Sequence, residues 1–226
     1  MLLHELQETM RGCRQCLEAG YTITPGAVFQ GHEGAQVMVI GQAPGVTEVI
    51  AGRPFNAGSG RRLFSWLEAA GWQEATFRQT HYMTSVTKCY PGRSNTGKGD
   101  RLPSPAEQAL CRPFLEQEIK LINPRLLILV GGLAIKLLYP AGATLDTLIG
   151  TAAYFRPEQL THFLQFDLSQ ASQHRRFEAS FSEFGRWVVP LPHPSGASLW
   201  PNRAENKALI DQAIQILAAI CLAWQL

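Results

Sequence analysis

The sequence has 226 residues, a net charge of +2 and apolar side chains at 46% of its positions. This composition is ordinary for one sizeable globular domain, and the low net charge leaves local patches as the only means of attracting nucleic acid. Charged residues near the amino terminus exclude a signal-peptide pattern, and no uncharged apolar run approaches the length of about 18 residues that a membrane span needs. We therefore expect a cytoplasmic protein that is a monomer and contacts no membrane.

The amino-terminal segment carries two of the five cysteines. Residues 1–20 are predicted to form a short helix that runs into Cys13 and Cys16, and the Cys-x-x-Cys spacing lets two thiolates bind one metal centre. In an intracellular chain, cysteines favour metal or redox chemistry over a disulfide framework. This spacing alone does not decide between metal ligands and ordinary thiols.

The stretch from 37 to 60 organises the rest of the chain. Four apolar residues, 37–40, predict a buried strand, and glycine and proline at 41–45 end it abruptly. A long glycine-rich loop that contains Phe55 follows, and helical spacing resumes over 61–71. Parallel sheets bind ligands at the carboxyl ends of their strands, so this loop is the candidate active site. The alternative is an ordinary strand-to-helix turn with Phe55 in the core.

Three further strands are predicted from apolar runs, and helices are predicted between them. The strands are 81–87, 125–130 and 186–191, and the helices are 104–123, 133–139 and 203–224. Between about 140 and 185 only Phe177, Phe181 and Phe184 have regular spacing, as on one helix face. The alternation predicts an α/β fold, a three-layer α/β/α sandwich with a four-stranded, mainly parallel central sheet. We expect a single domain over 1–226, with 140–185 as a variable insertion.

Unusual loops follow three of the four predicted strands. They are Gly41-Gln42-Ala43-Pro44-Gly45, with Glu48 and Gly52-Arg53-Pro54-Phe55 after it, then Ser85 with Lys88-Cys89, and finally His193-Pro194-Ser195. With Cys111 and the paired cysteines, these motifs resemble the uracil-DNA glycosylase superfamily, most closely its iron–sulfur branches, families 4 and 5. The resemblance covers nearly the whole chain except about 140–185.

The resemblance implies a cofactor and a reaction. Four cysteines would hold a [4Fe–4S] cluster, namely Cys13, Cys16, Cys89 and Cys111. Thiolate ligands suit such a cluster, and tetrahedral zinc would also fit this ligand set. The implied reaction is that of a DNA repair glycosylase, which hydrolyses the N-glycosidic bond of uracil in DNA after flipping the nucleotide into a pocket, and leaves an abasic site.

The resemblance also implies roles for individual side chains. His193 would donate a hydrogen bond to the departing base, Glu48 would orient the attacking water, and Phe55 would stack on the uracil ring. Gln42 would contact the base or the water. Further substrate contacts would come from Gly41, Ala43, Ser85 and Ser195, and DNA phosphate contacts from Arg61, Arg62 and Gly196. The alternatives are a solvated glutamate and a turn histidine held between prolines.

Departures from the family 4 pattern bear on the substrate. Gln42 stands where family 4 usually has glutamate, Ala43 stands where other branches have aspartate or asparagine, and Ser85 stands where family 4 has an asparagine that binds the uracil edge. We expect an enzyme that is weak on uracil or also accepts other deaminated bases. The competing hypotheses are a silent member that binds DNA or uracil without cleavage, and an iron–sulfur protein acting on an unrelated nucleotide or nucleoside.

Overall fold

The protein is built around a six-stranded sheet with the order β2-β1-β3-β6-β4-β5. The computed structural model describes residues 1–95, 99–140, 142–159, 171–177, 184–196 and 198–226. The strands are β1 (Val37–Gly41), β2 (Tyr82–Ser85), β3 (Leu126–Val130), β4 (Ala152–Phe155), β5 (Ser172–His174) and β6 (Arg186–Leu191). The first three and β6 are mutually parallel, whereas β4 runs antiparallel to both β6 and β5.

Helices cover both faces of the sheet. The α-helices are α1 (Leu3–Gly12), α2 (Gln15–Glu18), α3 (Val46–Ala51), α4 (Gly58–Ala69), α5 (Glu74–Thr80), α6 (Pro105–Ile122), α7 (Gly132–Ile135), α8 (Leu145–Leu148) and α9 (Ala204–Trp224). Crossovers between parallel strands are right-handed. The connection from β1 to β2 and the connection from β2 to β3 run in opposite directions across the sheet, so their helices α4 and α6 lie on opposite faces. Accordingly α1 packs against α6, and α4 packs against α5 and α9.

The predicted α/β fold is confirmed, and the predicted number of strands is wrong. The four predicted strands form the parallel part of the sheet, in which every residue of β1, β2, β3 and β6 is buried. The additional strands β4 and β5 come from the 140–185 region. Ser172-Gln173-His174 is polar and mostly exposed at the sheet edge, so no apolar run indicates it. The ring centroids of Phe177 and Trp187 are 5.7 Å apart. Phe181 lies outside the described residues.

The candidate loop after β1 has secondary structure of its own. The sequence predicted an irregular stretch there, but α3 occupies its middle, and α5 also lies where no element was predicted. The helix α6 begins with a capping box. The Ser104 amide donates to Glu107 Oε2 at 2.7 Å, and the Glu107 amide donates to Ser104 Oγ at 3.3 Å.

The closing helix α9 is long and apolar enough to cross a membrane, with a mean hydropathy of 1.4 over its best window. One side of it packs against β6 and α4, where Ile210, Ala213 and Leu217 are buried. The core helix of a globular domain meets the same length and hydropathy criterion. One third of this window is buried, so α9 packs one face against the sheet and α4 and leaves residues such as Leu222 exposed.

Candidate active site

The carboxyl ends of β1, β2 and β6 open into a cleft of about 580 Å³. Most of the predicted site residues line it: Gly41, Gln42, Ala43, Glu48, Phe55, Ser85, His193 and Ser195. The cleft volume is in the range of small-molecule and base-binding pockets. Topology thus brings together three motifs that are far apart along the chain.

Phe55 forms one wall of the cleft in a conformation that is unusual for its residue type. Its φ is +51°, in the left-handed region that non-glycine residues rarely adopt. The ring lies over Gly41, where a Cβ would approach Phe55 Cζ to 3.0 Å, and the carbonyl lies over Gly60, where a Cβ would meet Phe55 O at 1.9 Å. Arg78 donates to the carbonyls of Pro54 and Phe55 at 2.9 and 2.8 Å. These contacts fix the aromatic ring in place.

Glu48 uses both carboxylate oxygens to hold the same loop. Oε2 accepts the Gly45 amide at 2.6 Å, and Oε1 accepts the Phe55 amide. Burial raises the pKa of the Glu48 carboxyl, as does the negative charge of Asp100, while the two amides oppose this shift. Glu48 therefore ties the Gly45 amide to the Phe55 amide within this loop.

His193 and Gln42 meet over Gly131. A Cβ on Gly131 would lie 2.9 Å from both side chains, so the glycine allows their close approach. His193 Nδ1 lies 2.9 Å from the Ser195 hydroxyl oxygen, and the Ser195 amide donates to it at 3.2 Å. Since an amide can only donate, Nδ1 is the acceptor and the neutral ring carries its proton on Nε2. Burial lowers the pKa of His193, which favours this neutral form.

The polar groups of Gln42 and Ser85 are partly used inside the protein. Gln42 Oε1 accepts the Leu133 amide at 3.0 Å, which leaves its NH₂ group. The Ser85 hydroxyl donates to the Thr87 carbonyl at 2.7 Å, so the Ser85 oxygen can offer a ligand only lone pairs. An acceptor at this position suits a base edge that presents an N–H group.

A family model described as the uracil DNA glycosylase superfamily matches residues 28–218. The chain belongs to this superfamily. Among its relatives are proteins named type-4 uracil-DNA glycosylase from Pyrobaculum aerophilum, 33% identical over 61% of this chain, from Archaeoglobus fulgidus, 28% identical over 61%, and from Thermotoga maritima, 30% identical over 59%. The matches span 65%, 63% and 64% of those proteins, slightly less than two thirds of their length. The predicted family is confirmed.

The glycosylase-like chain gathers its four predicted cysteine ligands around a second cavity. Cys13, Cys16, Cys89 and Cys111 all line it, between α1, α2, the end of β2 and α6. Burial raises the pKa of Cys16, Cys89 and Cys111, the last to about 11, and the negative charges of the neighbouring thiolates add to this effect. Three thiols with raised pKa values at one cavity need a cationic centre to ionise together. Cys221 is separate, with Sγ 3.1 Å from the Leu226 carbonyl.

The cysteine geometry can be compared with the two predicted metal centres. In the part of the chain that the structure describes, no three histidine, cysteine or acidic side chains are arranged to hold one metal ion. A tetrahedral zinc ion with bonds of about 2.3 Å would require sulfurs about 3.8 Å apart. An iron–sulfur cluster distributes its thiolates over several iron atoms and therefore tolerates a wider separation.

The residues predicted to bind DNA phosphates lie outside the cleft lining. Arg61 is exposed near the amino terminus of α4. Arg62 faces a different hollow, formed with Trp66, Pro201 and Lys207, and its Nη1 has no hydrogen-bond partner among the described residues. Gly196 is exposed beside Ser195. Gly196 therefore adjoins the cleft, whereas Arg62 faces a different hollow.

Sequence reasoning missed three groups that support the site. They are Arg78, which holds the Phe55 backbone, the buried Lys88–Glu118 ion pair beneath Ser85, and Asp100, which lines the cleft. Arg78 and the ion pair contact residues that are distant in the sequence, and Asp100 lies in a polar loop that contains no recognisable motif. No periodicity or spacing in the chain indicates such contacts.

Proposed function

We propose that this protein is a DNA repair glycosylase that hydrolyses the N-glycosidic bond of uracil, or of another deaminated base, in DNA. The observation that carries the proposal is the hydrogen bond from the Ser195 amide to His193 Nδ1, which leaves Nε2–H as a donor on a ring that lines the cleft. Family membership and the names of the relatives support the same reaction. The proposed substrate is DNA. We also propose that the protein acts in the cytoplasm as a monomer.

The cleft residues fit the charge changes of this reaction. As the bond between C1′ and the base nitrogen breaks, negative charge develops on the base and positive charge on the sugar. A neutral histidine with a fixed Nε2–H stabilises the departing anion without being consumed as an acid, and one such preorganised donor contributes about 10²–10³ in rate. Phe55 provides a fixed surface for base stacking, a contact worth about 1–3 kcal/mol.

The deciding experiment is abasic-site formation by the native protein and His193→Ala on oligonucleotides carrying uracil, hypoxanthine or xanthine, single-stranded and in duplexes. We expect cleavage of at least one substrate and a loss of about 10²–10³ in the variant, because the anion loses its donor. His32→Ala is the matched control, since His32 is exposed and does not line the cleft. Equal cleavage by native protein and His193→Ala would contradict the role of His193.

A second candidate function is binding of DNA or uracil without cleavage. The Gln42 and Ser85 contacts favour it, because the side chains at the two positions that depart from family 4 are neutral and already bonded internally. In the same assay this function would appear as retention of uracil-containing oligonucleotides by the native protein with no abasic sites on any substrate. Phe55→Ala should then weaken that retention.

For the second cavity, we propose a [4Fe–4S] cluster held by Cys13, Cys16, Cys89 and Cys111. The chemistry of four half-buried thiols that line one cavity supports this assignment. When bound, the cluster would supply a structural link between the amino-terminal helices and α6. The four cysteines would bind as thiolates and release their protons on loading.

A further inference from the structure

We propose that Asp100 is the carboxylate that faces the reacting sugar and the attacking water. The inference rests on the proposed glycosylase function and names a catalytic residue outside the motifs shared with the family. Asp100 lies in the loop between β2 and α6, and it lines the same cleft as His193 and Phe55. Its side chain is exposed, so it is accessible to water and to DNA.

The Asp100 carboxylate is oriented toward the first motif. Tyr90 donates its hydroxyl to Oδ1 at 2.9 Å, whereas Oδ2 lies 3.3 Å from the position that a Cβ on Gly45 would occupy. No described residue donates a hydrogen bond to Oδ2, which therefore remains available to a ligand or a water molecule. One oxygen holds the side chain, and the other faces the cleft.

The loop that carries Asp100 is anchored at both ends. The backbone pairs at Arg93 and Asp100, the Ser94 amide donates to the Gly99 carbonyl at 3.0 Å, and the Arg101 amide donates to the Gly92 carbonyl at 3.0 Å. The Arg101 guanidinium makes hydrogen bonds of 2.8 and 2.6 Å to the two oxygens of Glu107, at the start of α6. Asp100 is thus held from its own loop and from the neighbouring residue.

The other carboxylate in the cleft, that of Glu48, already accepts one backbone amide at each oxygen and holds the Phe55 loop. Gln42 and Ala43, which follow β1, are neutral. Asp100 is close enough to Glu48 for its charge to raise the pKa of that carboxyl. Among the residues that line the cleft, Asp100 therefore combines a negative charge with an oxygen that no described donor uses.

In the proposed reaction, Asp100 accepts the proton of the attacking water. The electron pair of the bond to C1′ leaves with the base, and His193 stabilises the resulting anion. The water oxygen then forms the new C1′–O bond, and the water proton passes to Asp100, from which solvent removes it, while the base anion takes a proton from solvent. Before this step, the negative charge of Asp100 stabilises the cationic sugar.

The test separates chemistry from binding with Asp100→Asn, which keeps an acceptor for the Tyr90 hydroxyl and removes the charge. Single-turnover cleavage of the base that the native protein removes should fall about 10²-fold, because a general base contributes that much or more. Affinity for the same DNA should stay equal or become tighter, since a negative charge near phosphates is lost. The melting temperature should not change.

Two further variants serve as comparisons for Asp100→Asn. Asp146→Asn is the matched control, because Asp146 bonds Trp200 Nε1 and does not line the cleft, so cleavage should match that of the native protein. Glu48→Gln should lower the melting temperature, because an amide cannot accept from both backbone N–H groups. Native cleavage by Asp100→Asn, or a joint loss of binding, stability and cleavage in it, would overturn the inference. Absence of cleavage by the native protein would reject the proposed function and this role together.

Discussion

At the scale of single residues, the site depends on holding Phe55 in a conformation that costs free energy. A non-glycine residue in the left-handed region is strained by about 1–3 kcal/mol and persists only where its surroundings fix it. Here Glu48 binds its amide, Arg78 binds its carbonyl at 2.8 Å, and Gly60 leaves room for that carbonyl. The ring is therefore positioned before a ligand binds, and binding does not have to order it.

Arg78→Met tests this positioning. The change leaves the buried carbonyls of Pro54 and Phe55 without their donor, and we expect the affinity for the cleaved DNA to fall about tenfold as the stacking surface loosens. Arg78→Lys should recover part of the affinity, because a lysine can still donate to a carbonyl. The measurement is equilibrium binding together with kcat and KM.

The matched control for this prediction is Arg53→Met. Arg53 pairs with the same glutamate, Glu74, at 2.9 Å, but its side chain is 46% exposed and makes no contact with the Phe55 carbonyl. We expect the affinity to remain close to native in this variant. Equal losses in the two variants would show that the Glu74 ion pairs, and not the carbonyl contacts, position the loop.

At the scale of elements, a buried ion pair joins β2 to α6. Lys88 Nζ lies 2.6 Å from Glu118 Oε2, and both side chains are almost fully buried. Tyr82 and Thr84 donate hydroxyls to Glu118, and Lys88 also donates to the Ser85 carbonyl at 2.6 Å. The network therefore links the helix that carries Cys111 to the strand end that carries Ser85. Removing one charge would leave its partner buried and unpaired.

A double-mutant cycle with Lys88→Met and Glu118→Gln measures this link. We expect each single change to lower the free energy of unfolding by about 3–5 kcal/mol, and the double variant to lose less than the sum. The measurement is urea unfolding. Glu116→Gln is the control, because its pair with Arg112 is on the surface and should contribute less than about 0.5 kcal/mol. Additive losses in the cycle would mean that the two charges do not interact.

At the scale of the whole molecule, the proposed cluster would join parts of the chain that the sheet does not connect. The cysteine cavity takes ligands from the amino-terminal helices, from the loop after β2 and from α6. The same helix start holds Arg101 through Glu107, next to Asp100 in the cleft. The cysteine cavity and the loop that carries Asp100 are therefore connected through Glu107 and Arg101.

Loss of the proposed cluster should release the amino-terminal segment and leave the sheet folded. Native protein purified anaerobically should contain iron and acid-labile sulfide in equal amounts, and Cys111→Ala should lose both. In that variant we expect rapid proteolysis within residues 1–20 and little change in far-ultraviolet circular dichroism. Cys221→Ala is the matched control and should retain the cluster, since this thiol lies at α9. Stoichiometric zinc in native protein would contradict the assignment.

Local sequence patterns predicted the four parallel strands and helices between them. Buried strands show as apolar runs, and the Ser104–Glu107 capping box is visible at a spacing of three residues. Arg78 and Asp100 could not be predicted, because their partners Phe55 and Gly45 are brought near only by the folded sheet. The strand β5 was missed because an edge strand with polar residues has no apolar period. We continue to propose one domain over 1–226 with 140–185 as its variable part.

The position of α1 has a consequence for how the protein is made. This helix is translated early, yet it packs against α6, and its proposed cluster partners Cys89 and Cys111 follow much later in the chain. On the ribosome, α1 therefore emerges with Leu3, Leu6 and Met10 uncovered until α6 has also been synthesised. Loading of the proposed cluster would have to wait for the same moment. A segment made well before α6 is thus completed only together with it, and we expect chains that lack the proposed cluster to be defective at α1 and not in the sheet.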